Sequence, residues 1–378
     1  MKILVSGASG LIGKSLCEAL DQSGDTVYHL VRDRKQVSDR TIFWDPEQGI
    51  VDKNALEGFD AVVNLAGENI AGRWTSEKKR LILDSRVKST RTLVDALTQL
   101  KNPPKVLINA SAIGYYGDQG SEMCIETSQS GSGFLADVCR QWEEAAYPAE
   151  QKGIRTVYLR TGIVLSRDGG ALAKMLPVFQ LGAGGALGSG EQYMSWIAID
   201  DLIGIILFAL NDASLKGPVN AVAPVPVTNA VFTKTLGDAL QRSTPFTVPA
   251  AMLKLIFGSE MAQEMLLGST RASPAKVLSE GYLFKYPDLP SAFKELLHKR
   301  GGNMDSQNKQ KSDKSFVATL LFCLLLGTLG VHRFYVGKIG TGILMLITLG
   351  GFGLWMLIDF ILIVSMRFRD KEGFYIEP

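Results

Sequence analysis

The stretch VSGASGLIG, residues 5–13, sets three glycines at positions 7, 10 and 13 between an apolar run and a segment of helical periodicity. There Gly7 permits a tight turn, Gly10 lets backbone N–H groups close on a pyrophosphate, and Gly13 lets a helix lie against a strand. Ser9, Leu11 and Ile12 complete the turn and open the helix, whose positive end faces phosphate oxygens. The chemistry this spacing serves is dinucleotide binding. An acid at the end of the second strand would hold a free ribose, but TVYHLVRDR ends on Arg32, followed by Asp33 and Arg34. An arginine fork matches a 2′-phosphate, so NADP(H) is expected in preference to NAD(H), with Arg32 the main contact and Arg34 the second. The competing reading of the two arginines is a pair of solvated surface charges.

Such a turn needs a parallel sheet behind it. Short β-branched runs (KILVSG, TVYHLVR, AVVNLAG, KVLINAS, RTVYLRTG) alternate with helical segments such as LIGKSLCEALDQSG and SRVKSTRTLVDALTQL. That alternation predicts an α/β fold, a Rossmann-like doubly wound parallel sheet over residues 1–223. Residues 224–297 carry helical stretches, NAVFTKTLGDALQR and PAAMLKLIFG, and read as a small, mostly helical lobe that encloses substrate. The polar, lysine-rich residues 298–314 read as a flexible linker.

Composition narrows the function classes. Net charge is +2 from 40 basic and 38 acidic side chains, which nominates no nucleic-acid partner. The four cysteines share no CxxC spacing and the chain has three histidines, so no metal site is expected, and the thiols read as reduced, in a cytosolic setting. The N-terminus is too short in apolar residues before the glycine turn to be a signal peptide.

GxxGxxG at 7, 10 and 13, NLAG at 64–67 and ASAIGYYG at 110–117 resemble the extended short-chain dehydrogenase/reductase superfamily. AGENIAGRW, SRVKST, SGFLADVCRQWE, LRTGIVLS and MSWIAIDDL are similar, more closely, to the epimerase-family proteins with a helical C-terminal extension, often labelled nucleoside-diphosphate-sugar epimerases. The resemblance covers residues 1–297 and implies that Leu65, Ala66, Gly67 and Ser111 border the cofactor. It also implies a serine that orients substrate, a tyrosine that moves the proton and a lysine four residues later that lowers the phenol pKa and holds ribose. Ser111 matches the serine, but Phe134 and Val138 stand where the tyrosine and lysine belong. A phenyl ring has no ionisable proton and an isopropyl group donates no hydrogen bond. The standard dyad is absent, and the candidate catalytic pair becomes Ser111 and Tyr116, with wall packing the bland alternative for Tyr116. Glu126 and Asp137 are closer to solvated-face residues. Substrate candidates are Glu68, Asn69, Arg73, Trp74, Tyr115, Gln192 and Trp196, with Ser195 beside them and Arg160 either a pocket residue or a structural ion-pair partner.

Two further apolar runs follow the linker, 316–331 and 339–366, the second interrupted only by Asp359. Their lengths predict two transmembrane helices, a hairpin over residues 315–366 in contact with the lipid bilayer. Lysines at 309, 311 and 314 precede the pair, and Arg367, Arg369 and Lys371 follow it, so the N-terminal domain and the 367–378 tail are expected in the cytoplasm. The run resembles the TM2 domain, a two-helix membrane module. Its glycines would allow close helix approach, within the hairpin or between chains of a homo-oligomer, and Asp359 needs a partner such as Arg333, His332 or another protomer, unless it sits at the interface.

Two functional readings stand. One is an NADP(H)-dependent reductase or epimerase, tethered to the membrane, acting on a small or nucleotide-linked substrate with a nonstandard proton donor. The other is a catalytically silent NADP(H)-dependent sensor or scaffold at the membrane, for which the resemblance implies a link to cell division.

Overall fold

A computed structural model describes residues 1–298, 312, 314–348, 354–364 and 368–376. They fall into two compact units, Met1–Ala173 with Gly182–His298, and Lys174–Leu181 with Lys299–Pro378.

In the first unit the five apolar runs all form strands of one sheet. Its first six strands are β1 (Lys2–Ser6), β2 (Thr26–Val31), β3 (Thr41–Asp45), β4 (Ile50–Val51), β5 (Ala61–Asn64) and β6 (Val106–Ala112). Strands Arg155–Thr161 and Gly217–Ala221 complete it, in the order Gly217–Ala221, Arg155–Thr161, β6, β5, β1, β2, β3, β4. Every pairing is parallel except β3 with β4. Helices cover both faces, which is why β1 and β5 are apolar without alternation, all but Lys2, Ser6 and Asn64. The chain leaves β1 toward β2 on one side and returns to β5 on the other. The carboxyl ends of β1 and β5 therefore frame the switch point where ligands of such sheets bind.

Three helices position that edge. The first, α1 (Leu11–Gln22), buries Gly13, Leu16, Cys17 and Leu20, one face at i, i+3, i+4 and i+7. The second, α2 (Ser76–Leu97), starts where the Thr75 hydroxyl accepts from Lys78 N at 3.1 Å. The third, α3 (Phe134–Gln151), lays Val138, Cys139, Trp142, Ala145, Ala146 and Ala149 on the sheet. Between them sits a core that includes Leu4, Leu30, Trp44, Val62, Leu93, Leu97, Leu107 and Tyr158.

The expected helical lobe contains helices at Asn229–Ala239, Ala250–Phe257 and Leu289–His298, and a π-helical turn at Ala262–Leu267. Short strands stitch it to the sheet domain: Arg271–Ala272 pairs with Met123–Cys124, and Val227–Thr228 with Tyr193–Met194.

In the second unit the two continuous spans expected from apolar length are not shown. Among the described residues no helix is long and apolar enough to cross a membrane. Helices run over Phe316–Leu326, Val331–Tyr335, Ile339–Ile347 and Leu354–Val364; part of the second apolar run, 349–353 and 365–366, lies outside the described residues, as does nearly all of the 298–314 linker. The first run is interrupted: its helix ends at Leu326, a 3₁₀ turn follows over Gly327–Leu329, and Gly330 at φ +71° adopts a hand that a continuing helix does not use. Asp359 meets two of the partners expected of it, His332 and Arg333, and all three are buried. His332 Nε2 lies 2.8 Å from Oδ2, and Arg333 donates through Nη2 to Oδ1 at 2.6 Å and through Nε to Oδ2.

Candidate functional site

The glycine turn is built as its spacing implies. Gly7 has φ +69°, and a Cβ there would sit 2.8 Å from the Leu65 carbonyl carbon. A Cβ on Gly13 would lie 2.3 Å from the Gly7 oxygen and 2.7 Å from Ala8 Cα, so helix and turn touch backbone to backbone. Gly10 N donates to Gly7 O at 3.0 Å, and no side chain caps α1. The first-turn N–H groups, those of Leu11 and Ile12 among them, thus point from the carboxyl edge of β1. Ser9 is exposed, and Leu11 packs on the turn at Gly169 and Gly170.

Leu65 and Ala66 are pinned by a buried polar network that periodicity does not reveal. Ser6 Oγ accepts from Leu65 N at 3.1 Å and Ala66 N at 3.2 Å, while donating to Asn64 Oδ1 at 2.6 Å. Asn64 Nδ2 donates to Asn109 at 2.7 Å and to Thr90 at 2.9 Å, and Trp142 Nε1 reaches the same Thr90 hydroxyl. The ends of β1, β5 and β6 are thereby fastened to each other and to α2 and α3, and a fully satisfied network of this kind holds one geometry.

At the end of β2, Arg32 is exposed and its side chain makes no hydrogen bond or ion pair among the described residues, while the Arg34 guanidinium lies 3.8 Å over the Phe43 ring. Asp33 is turned to the backbone, where it accepts from Lys35 N. Arg32 is left with its fork uncommitted, and Arg34 lays its guanidinium face on Phe43.

The catalytic candidates sit in one buried chain of contacts. Ser111 Oγ donates to Glu143 at 2.7 Å, and Glu143 takes a two-pronged ion pair from Arg160 at 2.8 Å on each oxygen. Arg160 Nη1 also donates to the Tyr116 hydroxyl at 3.0 Å, which in turn donates to Asn220 Oδ1 at 2.7 Å. The Tyr115 ring lies 3.4 Å beneath the guanidinium. Tyr116 has no exposed surface, and burial pushes its phenol up to about 12, although Arg160 and Asn220 pull the other way. Tyr116 is buried in this cluster, and Arg160 pairs with Glu143 beside it. Glu126 is buried, accepting from Asn220 N and Lys276 N at 3.2 Å; Asp137 is exposed and pairs with Arg140.

Phe134 and Val138 are used for packing. The Phe134 ring takes the edge of Trp74 at 5.0 Å and the Lys79 ammonium at 4.6 Å, and Val138 is buried. Glu264, on the π-helical turn, caps α3 from across the chain, accepting from Phe134 N at 2.9 Å and Leu135 N at 2.8 Å. No local signal in the sequence marks Glu264, because its partner lies 130 residues away.

Of the substrate candidates, the 68–74 loop gathers beside this helix start. Glu68 pairs with Lys78 at 2.6 Å, Asn69 accepts from Ala71 N, and Arg73 is exposed with its Cγ near Gly258. Gln192, Ser195 and Trp196 do not join them. Gln192 donates to the Leu187 and Leu266 carbonyls, Ser195 bridges Thr270 O and Ala272 N, and the fully buried Trp196 donates to Val225 O. Their polar groups are consumed by backbone, because a lobe folded on a sheet must satisfy the carbonyls it covers.

A doubly wound parallel sheet, with a glycine turn at its switch point and a helix start aimed at it, defines a Rossmann-type NAD(P)-binding protein. The chain belongs to the NAD dependent epimerase/dehydratase family, whose model matches residues 3–222. A domain of unknown function (DUF1731) matches residues 248–296, and the TM2 domain matches residues 312–361. Epimerase family protein Mb2239 of Mycobacterium bovis is 43% identical over 291 residues, 77% of this chain and 95% of that protein. The crystal structure of human epimerase family protein SDR39U1 (isoform 2) with NADPH superposes with a TM-score of 0.74 at 36% identity, covering 79% of this chain and all of that one. A nucleoside-diphosphate sugar epimerase from Corynebacterium glutamicum gives 0.64 at 37% identity, covering 79% of this chain and 58% of the other.

Proposed function

We propose that this epimerase-family chain binds NADP(H) in preference to NAD(H), with Arg32 on the 2′-phosphate, and that its TM2 segment associates with a lipid bilayer. The observation that carries the cofactor reading is Arg32, exposed and uncommitted at the end of β2, where NAD-binding proteins of this fold present an acid. The human relative crystallised with NADPH supports it. When bound, the dinucleotide supplies hydride transfer. The chain's own residues hold it: the N–H groups of the glycine turn on the pyrophosphate, and Leu65, Ala66, Gly67 and Ser111 along its length.

Arg32→Ala is expected to weaken NADPH about 10- to 100-fold, the worth of hydrogen bonds to a charged group, while NADH affinity stays within about twofold because NADH lacks the phosphate. Equal loss for both, or no loss, would overturn the preference. Titration followed by nicotinamide fluorescence reads this directly.

In the active reading, the chain is a reductase or epimerase on a small or nucleotide-linked substrate bordered by Glu68, Asn69, Arg73, Trp74 and Tyr115, without the tyrosine–lysine pair. The silent reading, a sensor or scaffold, is favoured by the engagement of Ser111 with Glu143 and of Tyr116 with Asn220 and Arg160, which leaves neither hydroxyl idle. Tyr116 then serves as a wall and not as the acid. Oxidation of NADPH by a panel of carbonyl and nucleotide-sugar compounds separates the two readings.

For the tail, the TM2 match at 312–361 and the apolar runs support bilayer contact through residues 315–366, with both flanking segments cytoplasmic. The full chain is expected to stay in the membrane pellet after alkaline carbonate extraction; recovery in the supernatant would remove this part of the proposal.

A further inference from the structure

The lobe's helix Ala250–Phe257 turns its apolar side chains outward. Leu253 is its one buried residue, while Met252, Leu255 and Ile256, at i, i+3 and i+4 on one face, are 51%, 79% and 41% exposed. Phe246, just upstream, is exposed as well. Apolar residues scattered singly on a surface are ordinary, but three gathered on one helix face mark an interaction site.

The charges around that face say what it meets. The helix carries a single charge, Lys254, which is exposed and makes no ion pair among the described residues. Arg73, also exposed, stands at its C-terminal end, with Cγ 3.7 Å from the place a Gly258 Cβ would take. The nearest acid along the chain, Glu260, is neutralised by Lys79 at 2.7 Å. Lysine is depleted where proteins meet proteins, whereas at a bilayer its stem lies along the apolar surface and its ammonium reaches the headgroups. An apolar stripe edged by unpaired cations therefore fits an anionic lipid surface.

The chain itself brings that surface within reach. Residues 299–314 join the lobe to the apolar tail, and sixteen residues at full extension span at most about 55 Å. Three inserted side chains hold a freely diffusing protein to lipid only weakly. On a tether of that length docking becomes intramolecular, at an effective concentration on the order of millimolar.

We propose that the Ala250–Phe257 helix is a second membrane contact, lying in the headgroup layer of an anionic bilayer with Met252, Leu255 and Ile256 inserted and Lys254 among the lipid phosphates. The inference rests on the bilayer association of residues 315–366. Because the helix ends at Gly258 beside the 68–74 loop, docking sets the rim of the candidate site at the lipid surface.

The test uses the full chain reconstituted in vesicles of equal parts phosphatidylcholine and phosphatidylglycerol. A bimane label is placed at Leu255→Cys or, as reference, at Val37→Cys; both positions are exposed, and the four native thiols are buried. Bimane at 255 is expected to be quenched at least about twofold by lipids brominated near the top of the acyl chain and to be shielded from aqueous iodide, as for a side chain below the headgroups. Bimane at 37 should respond to iodide alone. Met252→Cys, on the same face, should behave as 255 does and carries the test if Leu255→Cys fails to fold. Iodide quenching at 255 equal to that at 37 would leave the helix in water, shielding from both quenchers would place another protein copy over it, and lipid quenching at both positions alike would remove the preference for this face; each overturns the proposal. Failure of the underlying bilayer reading looks different, since the chain would then not float with the vesicles at all.

Discussion

Gly13→Val is expected to abolish dinucleotide binding and to destabilise the first unit by about 3 kcal/mol, the upper end of the cost of overpacking a closed contact. The Cβ at this position falls within 3 Å of three backbone atoms, Gly7 O, Ala8 Cα and Gly7 C, none of which can swing aside as a side-chain tip would. Relief requires α1 to lift from the turn. Its first N–H groups then leave the position of the pyrophosphate, and NADPH affinity should fall by more than ~100-fold, the equivalent of about two charge-assisted hydrogen bonds. Gly24→Ala is the control: Gly24 also has positive φ, at +81°, but nothing lies within 4 Å of its would-be Cβ. Its cost should be about 1 kcal/mol of backbone strain, with binding untouched. Thermal unfolding and NADPH titration of both variants check the pair, and wild-type affinity in Gly13→Val would contradict the close-contact account of the turn.

Arg160→Met should be the most destabilising of the single charge removals, by about 3–5 kcal/mol, because it strands a carboxylate inside the protein. Arg160 is 2% exposed and has three separate obligations, to Glu143, to the Tyr116 hydroxyl and to the Glu126 carbonyl. The double variant Arg160→Met, Glu143→Gln should recover a good part of the loss, since the buried charge goes with its partner. Denaturant unfolding monitored for both variants distinguishes this from simple loss of volume: if the double variant is no better than the single, packing and not charge is what Arg160 provides.

What could be read beforehand followed from local repetition. The strands at 2–6, 26–31, 61–64, 106–112 and 155–161 were each a run of β-branched residues, and the glycine turn between the first strand and first helix was fixed by spacing alone. The third strand, TIFWD, and its antiparallel neighbour carry no such signal, being short and bracketed by polar residues. The pocket side was harder. Trp196 and Gln192 have the residue types of a binding wall, but the same types satisfy carbonyls under a folded lobe, and only the tertiary arrangement decides. Glu143 and Glu264 owe their placement to partners brought in from other elements, and periodicity carries no such information. In the tail, apolar length carries no guarantee of helical continuity: the first helix ends at Leu326, before the 3₁₀ turn over Gly327–Leu329 and the positive φ of Gly330.

The cap that Glu264 places on α3 has a consequence for the order in which the protein is made. The chain emerges from its N-terminus, and α3 is complete long before residue 264 exists, so for that interval the helix start bordering the candidate site has two bare N–H groups. The sheet can assemble without the lobe, because its strands find their partners within the first 221 residues. The helix start cannot settle until the lobe arrives to accept from it. Synthesis therefore finishes the cleft last, and a nascent chain that has already built its cofactor turn still lacks the edge against which a substrate would rest.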